Sequence, residues 1–178
     1  MDNFSNPSDV VAQLPVFAGQ KVADFGAGSG AYSFALAHRV SGAESGVVYA
    51  VDLHQDMLER IESHAQEDGI NSIMTVWGDI EHAQGSRLRE DSIDAVVIAN
   101  VLFQTDDKQA VFREAYRVLK PGGVVGIIDW SESFGNLGPT ENHVVSEHTA
   151  RVIAEENGFQ FVKTIEAGAH HYGFLVRK

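Results

Sequence analysis

The sequence has no cysteine and few basic residues. Without cysteine the chain forms no disulfides or cysteine-ligated zinc sites, and it offers no thiol nucleophile. Lysine and arginine number 13 against 25 aspartate and glutamate residues, for a net charge of -12 at pH 7. Such a surface repels phosphate backbones unless a basic patch forms. Every close group of basic residues is diluted by acids, so we expect no nucleic-acid partner.

Long apolar runs are also missing. No segment approaches the roughly 18 consecutive apolar residues of a membrane-spanning helix, so we expect no membrane partner. The first seven residues, Met-Asp-Asn-Phe-Ser-Asn-Pro, have neither the basic region nor the apolar run of a signal peptide. We therefore expect a cytoplasmic protein.

What is present fits a single domain. The chain has 178 residues, of which 44% are hydrophobic, enough for an ordinary buried core. Residues 1–15 are mostly polar, contain Pro7 and Pro15, and are predicted to be a leader segment with one helical turn. Residues 16–178 are predicted to be the domain.

Short apolar runs alternate with stretches of helical period from residue 21 onward. The predicted strands are 22–25, 47–51, 72–77, 93–99, 124–130, 160–166 and 171–176. The predicted helices are 31–40, 55–68, 105–119 with Thr105 as N-cap, and one from Ser146 to Gly158; the polar stretch 81–92 has room for a short helix. This order predicts an α/β fold with a mostly parallel sheet, helices on both faces and a closing hairpin. Ligands of such sheets bind beyond the carboxyl ends of the strands.

A glycine-rich turn follows the first predicted strand, with Gly26, Gly28 and Gly30 in the segment 22–30. Glycines between a strand and a helix let the backbone pass close to a ligand. The turn also satisfies the G-x-G-x-x-G/A dinucleotide fingerprint, with Ala31 last, so a nicotinamide enzyme is an alternative at this point. A tight turn required only for packing is another.

Three acids stand at consecutive strand ends. Asp24 lies inside the first strand, Asp52 ends the second, and Asp79 follows the third. Asp52 is placed to accept both hydroxyls of a ribose, and Asp79 can accept the amino group of an adenine. Each acid alone is typical of a loop or a helix cap, whereas all three beside a glycine turn favour a nucleoside-containing ligand.

Several segments carry a family resemblance: 22–30, 48–52, 78–80, 99–104 and the Arg-Val-Leu-Lys-Pro-Gly-Gly segment at 117–123. On these the chain resembles the class I S-adenosylmethionine-dependent methyltransferases, especially the small-molecule branch that resembles ubiquinone/menaquinone-biosynthesis methyltransferases. The resemblance covers about residues 16–130. It implies a Rossmann-like three-layer sandwich with seven strands in the order 3-2-1-4-5-7-6, strand 7 being antiparallel, and S-adenosylmethionine as the cofactor.

The resemblance also implies roles for particular residues. Asp24 and the 26–30 turn would hold the methionine part of the cofactor, Asp52 the ribose, and Asp79 with Ile80 the adenine edge. The full set of cofactor-binding residues is Asp24, Gly26, Ala27, Gly28, Gly30, Tyr32, Asp52, Leu53, Met57, Asp79, Ile80, Asn100, Val101 and Gln104. Phe4 either lies over the mouth of this site as part of a lid or belongs to a frayed terminus.

The implied reaction is methyl transfer to an acceptor by in-line displacement, for which the protein supplies mainly alignment and exclusion of water. No Asn/Asp-Pro-Pro-Tyr/Phe segment follows the fourth strand, which disfavours methylation of an adenine or glutamine amino group. The lack of cysteine excludes arsenite-type chemistry that depends on thiols. We therefore expect a small-molecule acceptor. Because no large insertion supplies a lid, the acceptor pocket is shallow or completed by another chain, so the protein is a monomer or a homodimer.

Four histidines are candidates for the acceptor half of the site: His143, His148, His170 and His171. The topology places all four near the carboxyl edge of the sheet, where they are either ordinary surface residues or serve as a general base or acceptor-positioning groups. Adjacent strand residues point to opposite faces, so only one of His170 and His171 faces the site. We expect no bound metal. The alternatives to a methyltransferase are a non-catalytic module that binds S-adenosylmethionine or a nucleotide, and an NAD-dependent oxidoreductase.

Overall fold

The computed structural model describes residues 5–43, 45–135 and 137–178. Seven strands form the sheet: β1 (Lys21–Phe25), β2 (Val47–Asp52), β3 (Ile73–Trp77), β4 (Ile93–Ala99), β5 (Leu119–Trp130), β6 (Gln160–Thr164) and β7 (His171–Arg177). Five α-helices surround it: α1 (Pro7–Ala12), α2 (Ala31–Val40), α3 (Gln55–Glu67), α4 (Lys108–Val118) and α5 (Glu147–Glu156). Short 3-10 helices span Leu102–Gln104 and Glu141–His143.

The strand order is β3-β2-β1-β4-β5-β7-β6. The first five strands pair in parallel, and β7 is antiparallel to both β5 and β6. The predicted fold class and strand order are therefore confirmed. Because β1 and β4 are neighbours whereas β1 leads to β2 on its other side, the strand order reverses between β1 and β4. Ligands of open α/β sheets bind at this position.

Helices cover both faces of the sheet. One face packs against α1, α2 and α3, and the other against α4 and α5. β4 is almost wholly buried, as its apolar sequence predicts for a central strand. Val10 and Val11 of α1 are buried in the same core as α2, so part of the predicted leader packs onto the domain. The division into leader and domain stays a prediction.

The structure differs most from the sequence prediction at three places, and the other elements differ by no more than two residues at their ends. The helix predicted from Thr105 begins at Lys108 and is capped by Asp107, whose side chain accepts the Ala110 N–H at 2.9 Å. Thr105 instead donates its hydroxyl to the Leu102 carbonyl at 3.1 Å. The fifth strand begins at residue 119 rather than 124, because Leu119 already pairs with Ile93 of β4 before a register shift in the pairing of the two strands. The stretch 81–92 forms turns without a helix. No described helix is both long and apolar enough to cross a membrane.

Candidate active site

The glycine turn joins β1 to α2 at the point where the strand order reverses. The Gly26 and Ala27 N–H groups both donate to the Val51 carbonyl, at 2.9 and 3.0 Å, which fixes the turn against β2. Gly28 has a φ of +51°, and a Cβ placed on it would meet only the Gly26 carbonyl oxygen, at 4.0 Å. The backbone at this position therefore borders open space, as a ligand cradle requires.

At Gly26 and Gly30, close packing leaves no space for a side chain. A Cβ on Gly26 would lie 2.5 Å from a Val101 methyl carbon, and one on Gly30 would lie 2.8 Å from Ile61. Gly26 thus allows the β4 end to approach β1 closely, and Gly30 allows α2 to pack on α3.

Asp52 connects the end of β2 to this turn. Its Oδ2 accepts the Gly28 N–H at 2.8 Å, and its Oδ1 accepts the His54 N–H at 2.8 Å. The His54 ring Nδ1 lies 3.2 Å from the same Oδ1. The carboxylate is therefore held in one orientation, and each oxygen keeps acceptor capacity for a ligand hydroxyl.

Asp24 lies beneath the turn and is 1% exposed. Burial raises the pKa of Asp24 to about 6, and the charge of Asp52 adds to the effect, while a 2.6 Å hydrogen bond from the Ser33 hydroxyl opposes it. Tyr32 is also buried, which raises its pKa to about 12, and its hydroxyl lies 3.0 Å from Ser5 Oγ. Phe4, the predicted lid residue, lies outside the described residues.

The third acid lies in a compact loop after β3. Asp79 accepts the Glu81 N–H at 3.0 Å and lies 2.8 Å from the His82 ring Nδ1. A Cβ on Gly85 would lie 1.8 Å from the Asp79 carbonyl oxygen, so this loop closes only with glycine there. The buried Glu114 of α4 holds the far side of the loop by accepting the Ser86 N–H at 3.0 Å.

The fourth strand end supplies Asn100, which has a φ of +57°. A non-glycine residue in this region is strained and often functional. Its side-chain oxygen Oδ1 is buried and has no hydrogen-bond partner within residues 5–43, 45–135 and 137–178. Gln104 donates to the Asn100 backbone carbonyl at 3.1 Å.

These elements enclose a cleft of about 340 Å³. The predicted residues that line it are Gly26, Gly28, Asp52, Leu53, Met57, Asp79, Ile80, Val101 and Gln104. Val51, His54, Gly78, Glu81 and Thr105 also line it and were not predicted. Asp24, Ala27, Gly30, Tyr32 and Asn100 stand behind or beside the cleft without lining it. His54 and Gly78 adjoin the predicted acids, so their position in the chain was an available signal. The cofactor-binding role of each residue stays a prediction.

A second cavity, of about 570 Å³, adjoins the cleft. Gln104 and Thr105 line both spaces. The remaining lining residues are Phe103, Asp106, Lys108, Pro139, Asn142, His143, Val144, Val145, Ser146 and Thr149. Both apolar and polar residues therefore line the cavity, and Gln104 and Thr105 border it on the side of the cleft.

Of the four candidate histidines, the structure brings His143 to this cavity. Its ring Nδ1 lies 2.7 Å from the Thr140 hydroxyl oxygen. His148 lies instead in a groove along α5 with Arg151 and Glu155, because the first turn of that helix carries it away from the sheet edge.

His170 and His171 are held in ring contacts. His170 stacks on Phe134 at a centroid distance of 3.8 Å, and its Nδ1 lies 2.7 Å from Glu132 Oε1. His171 lies 4.3 Å from Trp130, and burial lowers its pKa. Neither histidine lines the cleft or the second cavity. The described part of the chain also contains no group of three or more acid or histidine side chains arranged to hold a metal. The roles of the four histidines stay predictions.

Comparisons with known proteins assign this chain to a family. A family model described as a methyltransferase domain matches residues 23–127, more than half of the chain. The chain belongs to the methyltransferase-domain family. This confirms the resemblance drawn from the sequence motifs, and S-adenosylmethionine is the cofactor that the family implies.

The relatives of this methyltransferase domain include enzymes of different substrates. An arsenite methyltransferase of Aquipseudomonas alcaligenes is 37% identical over 59% of this chain and 31% of its own length. A demethylmenaquinone methyltransferase of Anoxybacillus flavithermus is 32% identical over 70% of this chain and 50% of its own. The chain thus spans only about a third to a half of these relatives. A solved S-adenosylmethionine-dependent methyltransferase from Aquifex aeolicus shares the fold, with a TM-score of 0.87 at 24% identity, over 98% of this chain and 90% of its own.

Proposed function

We propose that this chain transfers the methyl group of S-adenosylmethionine, bound in the 340 Å³ cleft, to a small molecule bound in the adjoining 570 Å³ cavity. One observation carries the proposal: the two spaces meet at Gln104 and Thr105, so ligands in them share a boundary. Direct methyl transfer requires this contact between donor and acceptor.

The cleft fits the donor. Gly28 borders open space where a methionine moiety would pass. Asp52 offers two acceptor oxygens to ribose hydroxyls, and Asp79 an acceptor to the adenine amino group. Bound S-adenosylmethionine supplies a methyl group on a sulfonium, which is already activated and leaves a neutral thioether. The protein therefore needs only to align the two ligands and exclude water.

The second cavity fits an organic acceptor of small size. Its volume lies within the range of small-molecule sites, roughly 300–1,000 Å³. Phe103, Val144 and Val145 give it apolar surface, and His143 and Lys108 give it polar groups. His143 can accept a proton from an acceptor hydroxyl or amine, because a neutral imidazole nitrogen can act as a general base.

The relatives' substrates bear on the acceptor class. One relative acts on arsenite, but the present chain contains no cysteine with which to bind trivalent arsenic. Another acts on a demethylated menaquinone, a largely apolar ring compound. We therefore favour an organic ring acceptor that carries an ionisable hydroxyl. Oligomeric state and cytoplasmic location stay predictions.

The test begins with calorimetric titration of the chain with S-adenosylmethionine, S-adenosylhomocysteine and NAD. We expect the first two to bind and NAD to fail; binding of NAD alone would favour the oxidoreductase alternative. Mass spectrometry of a panel of phenols and quinols incubated with S-adenosylmethionine then detects methyl transfer. His143→Ala should lower turnover without weakening S-adenosylhomocysteine binding, whereas His38→Ala, an exposed histidine on α2 far from both spaces, should match the wild type. Tight cofactor binding without turnover of any acceptor class would indicate a binding module.

A further inference from the structure

The segment 101–104 forms the wall between the cofactor cleft and the acceptor cavity. Val101 lines the cleft, Phe103 lines the cavity, and Gln104 lines both. A shift of this segment would therefore move the boundary at which donor and acceptor meet. Whatever fixes the segment in place also fixes the alignment of the two ligands.

The buried carboxylate of Asp129 fixes it. Asp129 lies at the end of β5, is 0% exposed, and lines neither space. Its Oδ2 accepts the Leu102 N–H at 2.8 Å, and its Oδ1 accepts the Trp130 N–H at 2.8 Å. One carboxylate thus ties the middle of the dividing segment to the neighbouring strand.

Burial of the Asp129 carboxylate costs free energy, which argues that its hydrogen bonds to the backbone are not incidental. Burial raises the pKa of Asp129 to about 6, although hydrogen bonds from the backbone oppose the rise. Packing alone would place an apolar residue at such a site, because a buried carboxylate must recover its lost hydration through hydrogen bonds. Each of its two oxygens accepts a backbone N–H group at the sheet edge.

The residue that precedes the dividing segment has a strained backbone conformation. Asn100, immediately before it, has a φ of +57°, and its N–H donates to the Ile128 carbonyl at 2.9 Å. A strained residue persists only where the surrounding structure holds it. The Asp129 bond to Leu102, two residues further on, provides such a restraint.

We propose that Asp129 is a positioning residue for methyl transfer, which acts through the segment 101–104 to align the methionine end of the cofactor with the acceptor cavity. The inference rests on the proposed function for the identity of the ligands. It assigns Asp129 no contact with either ligand. Its effect should therefore be confined to the part of the cofactor that this segment faces.

Because the expected effect is limited to one part of the cofactor, binding measurements test it without a methyl acceptor. In the proposed binding mode, adenosine occupies only the Asp52 and Asp79 side of the cleft, whereas the homocysteine part of S-adenosylhomocysteine extends to the segment 101–104. Asp129→Asn keeps the size of the side chain but sets an amide N–H₂ group against a backbone N–H. We expect it to weaken S-adenosylhomocysteine about tenfold by calorimetry, with adenosine affinity within about twofold of wild type.

Tyr172→Phe is the matched control. Tyr172 pairs with Asp129 across β5 and β7, and its buried hydroxyl makes no hydrogen bond to any described residue, the dividing segment included. Removal of this hydroxyl should leave both affinities unchanged. If Asp129→Asn leaves both affinities unchanged, or weakens both equally, the positioning role is wrong.

Hydrogen exchange provides an independent measurement on the wild type. If Asp129 holds the segment, the Leu102 amide should exchange as slowly as the amides of β4 in the ligand-free protein. Fast exchange at Leu102 would overturn the proposal even if Asp129→Asn failed to fold. A wild type that binds no S-adenosylhomocysteine would refute the proposed function instead, and the exchange rate would still decide whether Asp129 fixes this segment.

Discussion

Replacement of Asp52 by alanine tests the cofactor site most directly, because this carboxylate connects the glycine turn to the expected ribose position. Its two oxygens accept the Gly28 and His54 N–H groups at 2.8 Å each. Loss of a bidentate acceptor for the ribose hydroxyls should cost about 2–4 kcal/mol of binding free energy. This corresponds to S-adenosylhomocysteine binding that is about 30- to 700-fold weaker by calorimetry.

The structure adds a second effect of the same change. Asp52→Ala also removes the acceptor of the Gly28 N–H, so the free protein should lose about 1 kcal/mol of stability, or about 2–4 °C in melting temperature. Asp52→Asn keeps one carbonyl oxygen and should fall between wild type and alanine in both measurements. Asp56→Ala, which removes an exposed carboxylate from the first turn of α3, is the control and should bind normally. S-adenosylhomocysteine affinity within threefold of wild type in Asp52→Ala would refute the assignment.

Three further predictions concern single positions. Gly28→Val should abolish S-adenosylhomocysteine binding with an unchanged far-UV circular dichroism spectrum, whereas Gly42→Val, also at positive φ but distant from the cleft, should bind; binding by both would mean that the turn is no cradle. Tyr172→Phe should raise the melting temperature by about 2–4 °C, because its buried hydroxyl lacks a partner among the described residues; a lower temperature would reveal a bond to water. Asp24, whose pKa is raised from 3.8 to about 6, contributes stability that is present below its unfolded pKa and lost as pH rises through 6. Between pH 7 and pH 5 the wild type should therefore gain about 1 kcal/mol over Asp24→Asn in urea unfolding, and parallel pH dependences would contradict this.

The sheet and most residues that line the 340 Å³ cleft could be predicted from the sequence because local patterns determine them. A parallel strand buried on both faces is a continuous apolar run, and its carboxyl end falls where that run stops. Asp52 ends β2, Asp79 follows the edge strand β3, and Gly28 stands in the turn after β1. Their convergence then follows from strand order alone.

The start of α4 could not be predicted in this way. Thr105, Asp106 and Asp107 are all good N-cap residues, so local propensity does not select one. A tertiary contact selects the last, because one Glu81 carboxylate oxygen accepts the Asp106 and Asp107 N–H groups at 2.8 and 2.6 Å. Glu81 is far from this helix in sequence and is brought there by the loop after β3.

The surroundings of the histidines likewise could not be predicted from local sequence. Topology correctly assigns His170 and His171 to the carboxyl edge, but it carries no information about which rings they meet. Phe134 and Trp130 lie in or beside the loop after β5, whose path depends on packing, and their rings contact the two imidazoles. His143 reaches the cavity from the same loop region.

The two halves of the site therefore differ in what holds them. The cleft rests on glycine conformations and strand ends, which the local sequence determines. The second cavity is lined by residues 103–106, by residues of the loop 139–146 and by the first turns of α4 and α5, which tertiary contacts position. If the proposed function holds, changes in those loops alter the second cavity while the cleft keeps its shape, provided that the dividing segment 101–104 stays fixed. Under our proposal Asp129 keeps this segment fixed, because its bonds go to backbone N–H groups and do not depend on which side chains line the second cavity.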